Sequence, residues 1–151
     1  MSLLEPIDNR RAIIDRRAVA DRLRAASGTT EILTEALAAG RAEIARRLAA
    51  EPGRGRAAAR ATAFLHDQIV RLVHDHVAEQ GCEQLGIVGL GGTGRGEMAP
   101  FSDLDLMFLT AKKPSAGAER CAEAMLHILW ELKLKVGHSV RSVPQLIALA
   151  R

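Results

Sequence analysis

Apolar residues recur at helical spacing through the first eighty positions, and after Gly81 the pattern changes to short continuous runs. Over 10–26, Ile13, Ile14, Ala18 and Leu23 sit among Arg and Asp, a weak amphipathic stripe that predicts a first helix. Ser27-Gly28 breaks it, and Thr29 or Thr30 is placed to cap the next helix. Leu33, Leu37, Ile44 and Leu48 line one face of that helix, which Pro52-Gly53 and Gly55 should end. Leu65, Ile69, Leu72, Val73 and Val77 predict a third helix over 58–79. LGIVGL at 85–90 reads as a buried strand, and DLDLMFLT at 103–110 as a second, entered through the turn Pro100-Phe101-Ser102. A helix follows over 117–133 and a third strand over 135–141. Ser142, Pro144 and Gln145 then have the order of a helix start: cap, first-turn proline and reciprocal partner.

This succession predicts an α+β fold, with N-terminal helices over 1–80 and a small mixed sheet over 81–151, one face of it covered by the 117–133 helix. The last helix has barely begun at Arg151, so the sheet-bearing part is read as incomplete. A chain of 151 residues favours one core over two. No apolar run approaches 18 residues, and the first residues carry charges where a signal peptide would be apolar. Two cysteines, Cys82 and Cys121, are too few for a disulfide scaffold or a cysteine-rich metal site, which fits a reducing cytoplasm. The net charge of +3 is uneven: residues 1–60 hold 12 Arg against 8 acids. Four aromatics and no Tyr make a base-stacking surface unsupported, so the basic half is read as solvated helix faces, with no nucleic acid expected.

The chemistry is concentrated in GLGGTGRGEMAPFSDLDLMFL, residues 89–109. Gly89, Gly91 and Gly94 match the spacing of a dinucleotide fingerprint, but that motif must open a long helix, and Pro100 interrupts only six residues after Gly94. The same glycines have a Walker A spacing, with Arg95 and Gly96 where Lys and Ser or Thr are required. A two-metal nucleotidyltransferase site fits better. Asp103 and Asp105, two apart on a strand, send both carboxylates from one face while Leu104 and Leu106 enter the core. The two like charges repel, and Mg²⁺, a hard cation usually held by one or two carboxylates and substrate phosphates, resolves that repulsion. Paired ions of this kind clamp the entering and leaving oxygens of an in-line displacement. Gly91 and Gly92 would let backbone N–H groups approach a triphosphate, Thr93 would offer its hydroxyl, and Arg95 a charge-assisted contact.

Leu90-Gly91-Gly92, ten residues, then Asp103-Leu104-Asp105-Leu106 resembles the signature of the DNA polymerase beta-like nucleotidyltransferase superfamily. The whole 89–109 segment is similar to the active-site segment of the bacterial PII uridylyltransferase/uridylyl-removing family. LWELKLKVGHSVRS (129–142) and EALAAGRAEIARRLAAE (35–51) resemble two further blocks of it. The resemblance implies magnesium-dependent uridylyl transfer from UTP to a tyrosine of the PII nitrogen-signalling protein, with pyrophosphate released. It also implies glutamine as effector through downstream ACT domains, and uridylyl removal by a downstream HD domain, neither of which is in these residues. Carried over, Gly91 and Gly92 would cradle the triphosphate and Asp103 and Asp105 would hold the metals. Thr93 stands where the family usually has Tyr. A third carboxylate has no match; Glu131 is a candidate by elimination, and a position after Arg151 is preferred.

Several other residues are read as structural. His66-Asp67 and His74-Asp75 are taken as helix-surface pairs, since no other histidine clusters at ligand spacing. Val136, His138 and Val140 share one strand face, so His138 is expected in the core with Trp130 and Phe108; Lys135 and Arg141 point the other way, toward either a nucleotide or a salt bridge. Two other functions fit the same residues: nucleotidyl transfer to another acceptor (a small molecule, an RNA end or a different protein), or a non-catalytic helical binding module. With the third carboxylate and a base-binding wall read as missing from these residues, the isolated chain is expected to show weak or absent pyrophosphate release with UTP and PII.

Overall fold

The structure, a computed structural model, describes residues 6–82 and 85–150. Among these, seven helices and three strands follow in the order α1 (Arg10–Ile13), α2 (Arg16–Ala25), α3 (Thr29–Ala50), α4 (Gly55–Glu79), β1 (Gly86–Gly89), α5 (Gly91–Arg95), β2 (Leu104–Thr110), α6 (Ala116–Glu131), β3 (Val136–Ser142) and α7 (Val143–Leu149). The expected α+β class is therefore observed. The expected boundaries of 1–80 and 81–151 fall between α4 and β1, apart from the end residues, which lie outside the described ones.

The predicted 10–26 helix is two helices. Ile14 turns extended, and Asp15 starts α2 by accepting a hydrogen bond from the Ala18 N–H at 3.2 Å. Ile13 and Ile14, on either side of the break, are both buried in the core. At the start of α3 the cap position is Gly28 in a left-handed conformation, not a threonine. The threonine hydroxyls tie elements together instead: Thr29 Oγ1 lies 3.2 Å from His76 Nε2 on α4, and Thr30 Oγ1 donates to Glu131 Oε2 on α6 at 2.6 Å. Gly55 opens α4 rather than ending α3.

The core is continuous from helices to sheet. Leu33 and Leu37 of α3, Leu65, Ile69 and Val73 of α4, Leu104, Leu106 and Phe108 of β2, and Met125 and Leu129 of α6 all belong to one buried cluster. α4 is central to it, touching α1, α2, α3, α5 and α6. The sheet has the order β1-β2-β3, with β1 antiparallel and β3 parallel to β2, so it is mixed as expected. Leu104, Leu106 and Phe108 are buried and belong to the same apolar cluster as the core residues of α4 and α6. The opposite face carries Asp105, Met107 and Leu109, with Gly137, Ser139 and Arg141 as their partners on β3.

Two loop devices set the path into β3. Lys133, at φ 60, ends α6 with paired bonds from the Lys133 N–H to the Trp130 carbonyl and from the Leu134 N–H to the Leu129 carbonyl, and Leu134 folds back as a buried residue. The Lys135 carbonyl then accepts from the Leu104 N–H at 2.8 Å, fixing β3 beside the start of β2. The predicted cap of the last helix is present in full: Ser142 accepts from the Gln145 N–H, Gln145 accepts from the Ser142 N–H, and proline occupies the first turn.

Three side chains differ from expectation. His66 is buried at 5% exposure, not on the surface. His138 is exposed, its ring edge-on to Trp130 at 5.9 Å between centroids, and Trp130 is half exposed. Trp130 is near the end of α6 and His138 is on the outer strand β3, on the same face as Val136 and Val140; among the described residues both rings are left exposed. Phe108 is fully buried as expected. Cys82 and Cys121 meet as a disulfide pair with a Cα–Cα separation of 5.6 Å, which two cysteines 39 residues apart did not suggest.

Candidate active site

The site is built where β1 ends and β2 begins. The Leu90 N–H donates to the Asp105 carbonyl at 2.9 Å, extending the ladder by one residue beyond β1. The chain then turns sharply through Gly91, at φ 52, into the single turn α5. The turn returns on itself: Gly94 N–H bonds to the Leu90 carbonyl and Glu97 N–H to the Gly92 carbonyl. A Cβ on Gly92 would lie 2.8 Å from the Glu97 carbonyl oxygen, so this glycine serves the closeness of the turn itself.

Asp105 points into this turn. Its side chain leaves β2 opposite to Leu104 and Leu106, and its two oxygens rest against the bare Cα atoms of two glycines. A Cβ on Gly91 would stand 2.8 Å from Oδ2, and one on Gly137 would stand 2.6 Å from Oδ1. Gly137 is the register partner of Asp105 on β3. Sequence reading missed it; the signal was a lone glycine inside a strand pattern, which often marks a close approach. Asp103 is exposed immediately before β2.

The remaining candidates occupy distinct places. Thr93 is engaged within the protein: its Oγ1 accepts from the Asp105 N–H at 3.2 Å and donates toward Met98 Sδ at 3.8 Å. It pins the glycine turn to the strand that carries the carboxylate. Arg95 ends α5, is exposed, and makes no ion pair among the described residues. Arg141 shares the Asp105 face but pairs with Leu109, about 13 Å further along the strand. Glu131 accepts from Thr30 and approaches His127 at 3.7 Å, in contact with neither aspartate. Among the described residues no cluster of three His, Cys, Asp or Glu side chains is placed to hold a metal.

The helical half holds the turn from behind. Met98, 1% exposed, donates its N–H to the Ala59 carbonyl of α4 at 3.0 Å. Glu97 accepts from Arg56 Nε at 2.8 Å and from Arg60 Nε at 3.4 Å. Arg56 first, and Arg60 with it, holds the Glu97 carboxyl below the usual carboxylate range. These contacts make α4 the support of the segment between α5 and β2, a role invisible in the local spacing of either.

The donor set suits a hard divalent cation. Asp105 and the exposed Asp103 are carboxylates of the kind such an ion takes, and the Asp105 oxygens lie against Gly91 and Gly137, where a Cβ would collide with them. The exposed guanidinium of Arg95 and the first-turn N–H groups of α5, which have no intrahelical acceptor, are donors suited to phosphate.

Residues 57–130 match the family model described as glutamate-ammonia ligase adenylyltransferase. Curated relatives match almost the whole chain. A bifunctional uridylyltransferase/uridylyl-removing enzyme of Novosphingobium aromaticivorans is 45% identical over 99% of this chain and 18% of its own length. Enzymes of the same description from Ruegeria pomeroyi and Rhodospirillum rubrum are 44% and 39% identical, over 80% and 93% of this chain. The chain thus spans less than a fifth of the length of these relatives, 18%, 14% and 17%. No solved structure matches.

Proposed function

The chain is homologous over nearly its whole length to bifunctional uridylyltransferase/uridylyl-removing enzymes, and from that premise we propose that it is the part of such an enzyme that transfers a uridylyl group from UTP to a tyrosine of a PII-type signalling protein. The observation that carries this reading is the Asp105 carboxylate seated between Gly91 and Gly137, at the mouth of the glycine turn.

In this reading Asp103 and Asp105 hold Mg²⁺. Magnesium bound there would neutralise triphosphate charge and stabilise the entering and leaving oxygens of the displacement. The protein's own part is positional. Gly91 to Thr93 present N–H groups to the phosphates, Arg95 adds a cation, and Thr93 and α4 keep the turn registered on β2. The acceptor's tyrosine oxygen attacks the α-phosphate, the bond to the β-phosphate breaks, and pyrophosphate departs as the hydroxyl proton is lost. The nucleophile comes from the partner, in keeping with a chain that contains no Tyr. UTP and a PII acceptor place the reaction in the cytoplasm; among the described residues no helix is long and apolar enough to cross a membrane. Glutamine control and uridylyl removal are assigned to other parts of such an enzyme.

The family-model match favours one competing reading, adenylyl transfer from ATP. A competition experiment separates them: magnesium-dependent binding of labelled UTP to the chain, challenged with ATP, CTP and GTP. Displacement by unlabelled UTP at the lowest concentration supports uridylyl transfer. Tighter binding of ATP supports adenylyl transfer. Transfer is checked with UTP labelled at the α-phosphate and a PII protein as acceptor: label on tyrosine must disappear in Asp103→Asn and Asp105→Asn.

A further inference from the structure

The chain has two cysteines and the fold brings them together. Cys82 is half-buried in the connection between α4 and β1; Cys121 lies on α6, 4% exposed and part of the core cluster. Their Cα atoms are 5.6 Å apart, inside the range that a disulfide spans without moving the backbone. Neither has a part in the nucleotide chemistry. The two differ in burial: Cys82 is partly exposed, whereas Cys121 is almost wholly covered.

We propose that this pair is a site of reversible oxidation by low-molecular-weight disulfides of the glutathione class, with Cys82 as the attacking thiol and Cys121 as the resolving one. The Cys82 thiol gives its proton to solvent, and its sulfur attacks one sulfur of the external disulfide. That bond breaks, a mixed disulfide forms on Cys82, and one small thiolate leaves. The deprotonated Cys121 sulfur then attacks Cys82 Sγ, closes the internal disulfide and expels the second small thiolate. Two protein thiols are oxidised and one external disulfide is reduced to two thiols. A reducing cytoplasm holds the pair as thiols, and an oxidising shift closes it. Closure fastens the segment leading into β1 to α6, and β1 ends at the glycine turn. The site therefore couples thiol status to the firmness of the sheet edge, whichever nucleotide the chain binds.

The test is thiol labelling of the 151-residue chain across graded ratios of oxidised to reduced glutathione, with acid quenching, maleimide alkylation and intact mass. The expected result is a direct passage from two labels to none, without an accumulating glutathione adduct. Cys121→Ala should stop with one glutathione on Cys82, and Cys82→Ser, at the half-buried position, should take up none. The oxidised chain should unfold roughly 5–10 °C above the reduced one. Two labels persisting at every ratio would overturn the proposal. So would a wild-type adduct as abundant as that of Cys121→Ala, or equal uptake by Cys82→Ser.

Discussion

At the scale of single residues, the site depends on atoms that are missing. Gly137 matters because a methyl group there would sit 2.6 Å from Asp105 Oδ1. Asp105 is a short side chain on a strand, so the carboxylate rather than the backbone must yield. Gly137→Ala should therefore weaken magnesium-dependent UTP binding about tenfold or more, since displacements near 1 Å have effects of this order or larger. Its melting temperature should stay within about 2 °C of wild type; calorimetric titration beside thermal unfolding checks both.

His66 gives a second residue-scale expectation. Both its ring nitrogens are buried without a hydrogen-bond partner among the described residues, and burial first, with Arg41 nearby, lowers its pKa to about 4. Its folded pKa lies below the unfolded value near 6.5, so between these pH values the unfolded chain binds more protons. Stability should be full above pH ~6.5 and fall as the pH drops toward ~4, by up to roughly 3 kcal/mol. His66→Leu should flatten that slope, as read from denaturant midpoints across the window. An unchanged slope would assign the pH dependence elsewhere.

Legibility in the sequence followed the reach of each signal. The alternation around Asp103 and Asp105 and the density of glycines are local, and the segment stood out on them. Gly137 and the support from Ala59, Arg56 and Arg60 did not, because these partners lie over thirty residues away and only the tertiary register brings them in. Thr93 carried a readable hydroxyl, but its bond to the Asp105 N–H belongs to the fold. His138 was misplaced because periodicity assigns a face and neighbouring elements decide whether that face is covered; His66 was misplaced because it was read from its lack of ligand partners, although its spacing to Ile69 and Val73 puts it on the buried face of α4.

At the scale of elements, a helix end was legible where the side-chain cap is reciprocal and hidden where a single side chain, as at Asp15, or backbone geometry alone serves. Ser142 and Gln145 announced α7 through a reciprocal cap. The end of α6 was placed two residues late, at Lys133, which occupies a left-handed position that usually calls for glycine. Lys133→Gly should relieve that strain and raise stability by about 0.5–1 kcal/mol, while Lys133→Val should lower it. Lys133 is exposed, so neither change disturbs the core. Denaturant unfolding of the two variants beside wild type measures the difference.

At the scale of the whole molecule, the helices and the sheet share one apolar interior, and α4 touches both the N-terminal helices and the α5 turn. The two segments visible in the sequence should accordingly unfold together. Helical ellipticity and the fluorescence of Trp130, the single tryptophan, which reports from the sheet side, should give coincident transitions. Phe108→Ala, at a fully buried position of the central strand, should cost about 3–5 kcal/mol and move both signals equally. Separate midpoints would mean that α4 does not join the halves into one cooperative unit.

This whole architecture converges on the Asp105 carboxylate, which β2 carries, two glycines cradle, and α4 supports through the turn. Calorimetric titration of UTP into the chain, with and without Mg²⁺, and into Asp105→Asn, measures that convergence directly. UTP binding should require Mg²⁺ and be lost in Asp105→Asn, with the variant folded as wild type. UTP affinity indifferent to both the metal and the aspartate would contradict it.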